Sequence, residues 1–252
     1  GARHLNRRTV TRIHSVRATI LQTPGPGEME VLEDQLVTID DDGIILSVSS
    51  DDGPADVDLG EGMLLLPGLV DTHLHASQWP QLGTALDQPL ERWLFEYTFP
   101  LEARYEDPAF AQRVWDSMIP ALLKRGTTTA AYYSSVHEPA TLSLAETCIT
   151  YGQRAFVGRV AMDHPDGTPE WYRDSGPTQS VAASHRSIEA IRSLPGAEGL
   201  VEPIITPRFI PACSDAALEG LGELAEATGA LVQTHCSEGD WEHNYVIERH
   251  GC

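Results

Sequence analysis

The sequence predicts an α/β fold: an incomplete (β/α)8 barrel of the TIM type, limited to its first five strand–helix steps and preceded by a small β-sandwich-like domain. From residue 64 onward, apolar or β-branched segments alternate with capped helical segments. Five such steps in succession predict a parallel sheet with right-handed crossovers, and a barrel is the commonest closed form of that sheet. Before residue 64, short strand-like segments are separated by Gly-, Pro- and Asp-rich turns.

The predicted N-terminal domain covers residues 1–63. Its strand candidates are 17–21, 35–40 and 44–48, and the turns between them are 23–27 and 40–43. This domain is small, so we expect it to pack against another part of the protein. Residues 1–8 lack an initiating Met and are compatible with a tag remnant.

The predicted second domain covers residues 64–252. Asp107 is the expected N-cap of its first long helix, and Ser214 and Gly229 are the expected cap and stop of a later one. The predicted elements, in order, are strand 64–75, helix 107–126, strand 127–133, helix 138–152, strand 154–162, helix 178–194, strand 199–208, helix 214–228, strand 230–238 and a helix from 240.

The count of strands predicts that the barrel is truncated after about the fifth strand. A closed barrel of this type has eight strands, and five leave open apolar edges that aggregate or require a partner. We therefore expect these 252 residues to be roughly the first three-fifths of a longer polypeptide.

Composition excludes several classes of partner. Asp and Glu number 37 against 17 Lys and Arg, a net charge of −20 that disfavours nucleic acid and anionic membrane surfaces. No apolar run is long enough to span a membrane. The four cysteines are widely spaced and form no Cys-x-x-Cys pair, which is typical of a reduced, intracellular protein. The expected location is the cytoplasm.

Three histidines are candidate metal ligands. His73 and His75 alternate at the end of an apolar strand, so both side chains point to the same face. His235 also ends a predicted parallel strand, and the carboxyl ends of such strands meet at the catalytic mouth of a barrel. Three imidazoles leave an open coordination position for water. The alternative is that these are ordinary histidines at exposed strand ends.

Glu238 and Arg208 are candidates for the chemistry around that metal. Glu238 lies three residues after His235, where a carboxylate can move a proton between water and substrate; a solvated loop acid is the alternative. Arg208 ends the fourth strand among prolines and suits an electron-rich substrate oxygen, unless it forms an ion pair with a nearby acid.

Three further residues are candidates for substrate binding. Phe209 can supply an apolar or stacking wall, and the Gln78 amide can offer a donor and an acceptor to a heterocycle. Trp79 and Trp93 either line the pocket or belong to the core. The core is favoured for each, and Trp79 is retained among the binding candidates.

Several segments together resemble one protein family. Residues 67–75 (PGLVDTHLH) are similar to the first metal motif of the amidohydrolase superfamily. A closer resemblance, to the guanine deaminases of that superfamily, is carried by HASQ at 75–78, WLFEYTFP at 93–100, GTTTA at 126–130, PRF at 207–209 and QTHCSE at 233–238.

The resemblance implies hydrolytic deamination of guanine to xanthine and ammonia, in purine catabolism or salvage, with one zinc ion per subunit. Gln78 and Arg208 would hold the purine edge, with Arg208 on the carbonyl oxygen and Phe209 beside it. Glu238 would move a proton from water to a ring nitrogen. The family usually forms homodimers. The implied zinc ligands are His73, His75 and His235.

The family pattern also includes a further metal-site histidine and a later, water-activating aspartate, and neither position occurs within residues 1–252. If these residues were the entire molecule, we would expect no efficient catalysis. Two alternatives stay open: a related deaminase acting on an 8-oxopurine, pterin or triazine, and a catalytically incomplete fragment with a binding or scaffold role.

Overall fold

The computed structural model describes residues 12–251. The chain divides into two compact units, Gly1–Gly68 and Leu69–Cys252, so the boundary falls five residues later than the predicted one. The apolar run that begins at Leu64 is split, because Pro67 and Gly68 separate two strands. Leu64–Leu65 belongs to the sheet of the first unit, and Leu69–His75 begins the second unit.

The first unit contains one five-stranded sheet in its described part, with strand order β3-β2-β1-β4 and β5 beside β1. A sandwich requires two packed sheets, so the predicted sandwich is not what residues 12–68 form. Consistent with a single sheet, β3 leaves Ile45 and Leu46 exposed. The strands are β1 Ser15–Gln22, β2 Glu30–Ile39, β3 Ile45–Ser49, β4 Val57–Asp58 and β5 Leu64–Leu65.

The second unit is built on a parallel sheet of six strands in the order β11-β10-β8-β7-β6, with β9 beside β10. This confirms the predicted α/β class and gives a parallel half-barrel. Its strands are β6 Leu69–His75, β7 Thr127–Tyr133, β8 Arg154–Gly158, β9 Val160–Ala161, β10 Val201–Pro207 and β11 Leu231–Val232.

The long helices follow the predicted strand–helix alternation. Asp107 caps α3 by accepting a hydrogen bond from the Ala109 N–H, and Ser214 caps α6 through the Ala217 N–H, as their sequence positions predict. Gly229 ends α6 in the left-handed conformation. These helices are α3 Pro108–Lys124, α4 Glu138–Tyr151, α5 Pro177–Arg192, α6 Asp215–Thr228 and α7 Asp240–His250.

Residues 76–106 form a series of short helices that the sequence pattern did not predict. A π-helical turn, Leu94–Thr98, joins α1 (Leu90–Trp93) to α2 (Phe99–Ala103). Pro100 lacks the N–H that would continue the α-helical hydrogen bonding to the Glu96 carbonyl, which explains the irregularity here. Short 3-10 helices cover 76–81, 104–106, 170–172 and 210–212.

The core of the second unit lies between the sheet and its helices, with Trp115 and Tyr132 among its largest fully buried side chains. Strand β6 departs from the prediction of a buried strand, since Leu69 and Val70 are exposed. The reason is its position at one end of the strand order. Within residues 12–251, no helix is both long and apolar enough to cross a membrane.

Candidate active site

Three histidines converge at the carboxyl ends of the parallel strands. His73 and His75 lie at the end of β6, and His235 follows β11 at the opposite end of the strand order. Their candidate ligand nitrogens all lie within 4.8 Å of one another. Nε2 of His75 is 2.8 Å from Nε2 of His235. The strand-end placement thus brings together side chains that are 160 residues apart in sequence.

The orientation of His235 is set by the peptide group of Arg208. The Arg208 carbonyl oxygen lies 2.6 Å from Nδ1 of His235 and also accepts the His235 backbone N–H at 3.2 Å. A carbonyl oxygen can only accept, so Nδ1 carries the proton and Nε2 keeps its lone pair. Burial lowers the pKa of His235 to about 4, which keeps the imidazole neutral near pH 7.

The aromatic ring of Tyr133 packs against His75. The Tyr133 ring stacks on the His75 imidazole with centroids 4.4 Å apart, and it lies 5.0 Å from His73 and 4.6 Å from His235. Burial holds the pKa of His75 well below its ordinary value. Sequence reasoning missed Tyr133, because a tyrosine at the end of a β-branched strand is also typical of a core residue.

The three histidines fit a metal ion. Neutral imidazole nitrogens are preferred zinc ligands, and a backbone carbonyl fixing the second ring nitrogen is the usual support for such a ligand. Two nitrogens bound to tetrahedral zinc lie ~3.3 Å apart, so the 2.8 Å between His75 and His235 needs only a small outward movement. The part of the chain described here supplies three ligands and can hold a metal with open coordination positions.

An open cavity of about 400 Å³ lies against the histidines. Of the predicted binding residues, Gln78, Arg208 and Phe209 line it, as does Glu238. Trp79 does not line the cavity, because it packs against the buried residues between the sheet and its helices. Trp93 lines the cavity. The lining residues are His73, His75, Gln78, Trp93, Leu94, Arg208, Phe209, His235 and Glu238.

Arg208 forms a buried, two-pronged ion pair with Glu102. Nη1 of Arg208 donates to Oε2 of Glu102 at 2.6 Å, and Nη2 donates to Oε1 at 3.3 Å. Burial opposes the charge on Arg208, but the Glu102 carboxylate outweighs it and the pKa of Arg208 is raised. The guanidinium carbon also lies 5.0 Å from the centre of the Phe99 ring. Both alternatives for Arg208 are therefore realised together: it lines the cavity and it forms an ion pair.

Glu102 is the main site residue that sequence reasoning missed. Its carboxylate, fully buried, also accepts hydrogen bonds from Gln78 Nε2 at 3.2 Å, from the Ser77 hydroxyl at 3.2 Å and from Tyr172 at 3.1 Å. An isolated acid in a helical segment is usually solvated. The only available signal was its position two residues after Pro100, in a stretch of apolar residues.

Glu238 stands on a turn anchored by Glu242. Ser237 adopts a left-handed backbone conformation with φ of 55°, which directs the chain from the strand end into α7. The Glu238 N–H donates to Oε2 of Glu242 at 2.7 Å, and Glu242 is buried. The Glu238 side chain itself is exposed and faces the cavity, where a carboxylate can exchange protons with water.

A parallel half-barrel with imidazoles at its strand ends is the arrangement expected of a metal-dependent hydrolase. Comparison with known proteins agrees: residues 64–252 match the model of the amidohydrolase family. The chain belongs to this family.

Two similar members of the family are guanine deaminases. The chain is 35% identical over 251 residues to guanine deaminase of Dictyostelium discoideum, covering 91% of this chain and 54% of that protein. It is 36% identical over 237 residues to human guanine deaminase, covering 89% of this chain and 51% of that protein. The chain thus spans about half the length of these relatives.

A solved structure of a guanine deaminase is also similar to this chain. Guanine deaminase from C. acetobutylicum, with guanine bound in its active site, superposes with a TM-score of 0.85 at 31% identity. The superposition covers 95% of this chain and 57% of that chain.

Proposed function

We propose that this chain carries the zinc-binding and purine-binding residues of an enzyme that hydrolytically deaminates guanine to xanthine and ammonia. The observation that carries the proposal is one cavity shared by Arg208, Gln78 and Glu238 with three converging imidazoles. The similarity to guanine deaminases over nine-tenths of the chain supports guanine as the substrate.

Zinc would be held by His73, His75 and His235, whose nitrogens already lie within 4.8 Å of one another. A zinc ion at such a site activates water for attack near neutral pH. The chain's own contribution is the geometry: the Arg208 carbonyl fixes the His235 tautomer, and the Tyr133 ring supports His75.

The substrate would be held by its carbonyl edge. Glu102 engages two of the five N–H groups of Arg208, and the others remain to donate to the guanine carbonyl oxygen. Gln78 would bind the adjoining edge of the ring, and Phe209 would close the pocket on one side. These contacts would present the amino-bearing carbon to the three histidines.

Glu238 would move the proton. As water attacks the amino-bearing carbon, the Glu238 carboxylate would accept one water proton and deliver it to a ring nitrogen. It would then transfer the remaining hydroxyl proton to the amino group, so that the C–N bond breaks, ammonia leaves and the carbonyl group of xanthine forms. Its exposed position at the cavity, with the main chain anchored by Glu242, supports this role. We further propose that the enzyme acts as a homodimer in the cytoplasm. Size-exclusion chromatography with light scattering of the purified protein would test the dimer, and cell fractionation would test the location.

The test follows guanine absorbance and ammonia release by the zinc-loaded protein, in a polypeptide long enough to include the later histidine and aspartate of the family pattern, because residues 1–252 alone are not expected to catalyse efficiently. We expect turnover, and we expect Arg208→Ala to lower kcat/KM by at least about 100-fold, since it removes a charged hydrogen-bond donor. Arg186→Ala is the matched control, because Arg186 lies on α5 and pairs with Glu138 at the surface. Full activity of Arg208→Ala on guanine would show that Arg208 does not hold the guanine carbonyl, which would remove the reason for preferring guanine to another heterocycle. No turnover of guanine by the zinc-loaded protein would count against the proposal.

A further inference from the structure

Glu102 is a fully buried carboxylate that the proposed reaction does not use. It accepts hydrogen bonds from both Nη atoms of Arg208, from Gln78 and from Tyr172, at distances of 2.6 to 3.3 Å. Burial raises the pKa of Tyr172 well above its ordinary value, so the phenol stays neutral and donates. One acid therefore contacts both side chains proposed to hold the purine edge.

The first consequence concerns charge. Arg208 and Glu102 are both nearly inaccessible to solvent, so the charge of each is balanced by the other rather than by water. The cavity wall they form is neutral overall while still presenting guanidinium N–H donors. A neutral carbonyl can accept from such a donor, whereas an anionic ring would face the Glu102 carboxylate directly behind it.

The second consequence concerns the Gln78 amide. A carboxylate only accepts hydrogen bonds, so the Gln78 group 3.2 Å from Oε1 of Glu102 is the NH2 group. The amide orientation is thereby fixed, and the Gln78 carbonyl oxygen is the atom left to accept from a ligand. The wall then offers a donor from Arg208 beside an acceptor from Gln78, which is complementary to the C=O and N–H of a neutral lactam.

We propose that Glu102 is a positioning residue that makes this site select neutral lactam-bearing purines over anionic ones, by balancing Arg208 and fixing the amide of Gln78. This inference rests on the proposed function, because it deepens the recognition of the purine at the same cavity. Glu102 need not touch the purine, and it acts through the two side chains that do.

The test measures binding rather than turnover. Hypoxanthine has the neutral lactam edge but no amino group to lose, and urate is a related purine that is an anion at pH 7. Affinities of the zinc-loaded protein for each are measured by isothermal titration calorimetry at pH 7. We expect the unmodified protein to bind hypoxanthine at least tenfold more tightly than urate.

Glu102→Gln keeps the shape of the side chain and removes its charge. We expect hypoxanthine to bind more weakly and urate more tightly, shifting the ratio of affinities on the order of 100-fold toward urate. Glu138→Gln, which removes an acid paired with Arg186 at the surface, is the matched control and should leave both affinities unchanged. A purely structural role would weaken both ligands together, and that result would overturn the proposal.

A second variant covers the case in which Glu102→Gln does not fold. Glu102→Gln/Arg208→Gln removes both charges, and we expect it to lose the preference for hypoxanthine without gaining one for urate. A preference equal to that of the unmodified protein would overturn the proposal, as would equal affinities in the unmodified protein. If the unmodified protein bound neither purine, the proposed function would fail as well; if it bound hypoxanthine while Glu102→Gln left the ratio unchanged, only this inference would fail.

Discussion

The backbone carbonyl oxygen of Arg208 lies 2.6 Å from Nδ1 of His235. One residue thus orients a metal-ligand candidate with its main chain and lines the cavity with its side chain. The two functions are separable by mutation, because a side-chain substitution at position 208 leaves the carbonyl in place. Arg208 variants should therefore retain metal while losing substrate affinity.

We expect His235→Ala to lower zinc affinity by at least about 100-fold, because it removes one of three ligands from a preoriented set. Competition with a chromophoric chelator measures the change. His185→Ala is the control, since His185 lies on α5 and its imidazole is half exposed. Zinc affinity equal to that of the unmodified protein would remove His235 from the metal site.

Stability of the metal-free protein should depend on pH through His235. Burial lowers its pKa to about 4 in the folded state, against about 6.5 when unfolded. Between these values only the unfolded state binds the proton, so the free energy of unfolding should fall as pH drops from about 6.5 to 4 and stay level above that range. Urea titrations at several pH values give the free energy of unfolding, and its slope against pH gives the number of protons taken up on unfolding. Near pH 5, His235→Gln should take up about one proton fewer than the unmodified protein. Equal slopes for the two proteins would contradict this prediction.

We expect Glu242→Ala to lower kcat about tenfold with little change in KM. The substitution removes the acceptor of the Glu238 N–H, and a hydrogen bond to a charged group contributes about 1.5–3 kcal/mol. Glu242→Gln keeps an acceptor oxygen and should stay within about threefold of the unmodified rate. Steady-state kinetics with guanine measure kcat and KM of both variants, and equal kcat values for Glu242→Ala and the unmodified protein would contradict the prediction. Glu248→Ala, at an exposed position of α7, is the control.

Loss of the hydroxyl group should change the free energy of unfolding differently at two adjacent tyrosines. The Tyr132 hydroxyl donates to Gln153 at 2.7 Å, so Tyr132→Phe should lower the free energy of unfolding by about 1–3 kcal/mol. The buried Tyr133 hydroxyl has no partner among residues 12–251, so Tyr133→Phe should be neutral or stabilising. Denaturant unfolding of the metal-free protein measures both. A large loss in Tyr133→Phe would indicate a partner such as bound water.

The strand–helix alternation was predictable where local chemistry marks element ends. Asp107 and Ser214 begin their helices with side-chain caps, and strand 127–133 has its predicted bounds because β-branched residues follow a glycine. The three histidines were predictable for a related reason, since strand ends of a parallel sheet share one edge.

The remainder depends on tertiary contacts that have no local signature. Glu102 is buried because Arg208, 106 residues later in the chain, neutralises it. The sequence around Trp79 and Trp93 does not show which of the two faces the cavity. The packing of the folded chain places Trp93 there and Trp79 against the core. Exposure of Leu69 and Val70 follows from the place of β6 in the strand order, which an apolar run does not reveal.

The π-helical turn Leu94–Thr98 begins at the cavity residue Leu94, directly after the cavity residue Trp93, and precedes the ion-paired Glu102. A π turn is equivalent to one residue inserted into an α-helix. If the same residues continued as a regular α-helix through this point, everything after it would be rotated by ~100° about the helix axis. The Glu102 carboxylate would then leave Arg208 and Gln78 even though no residue of the site had been changed. The angular position of Glu102 about the helix axis is thus set by the hydrogen-bond pattern of a turn that contains neither member of the ion pair.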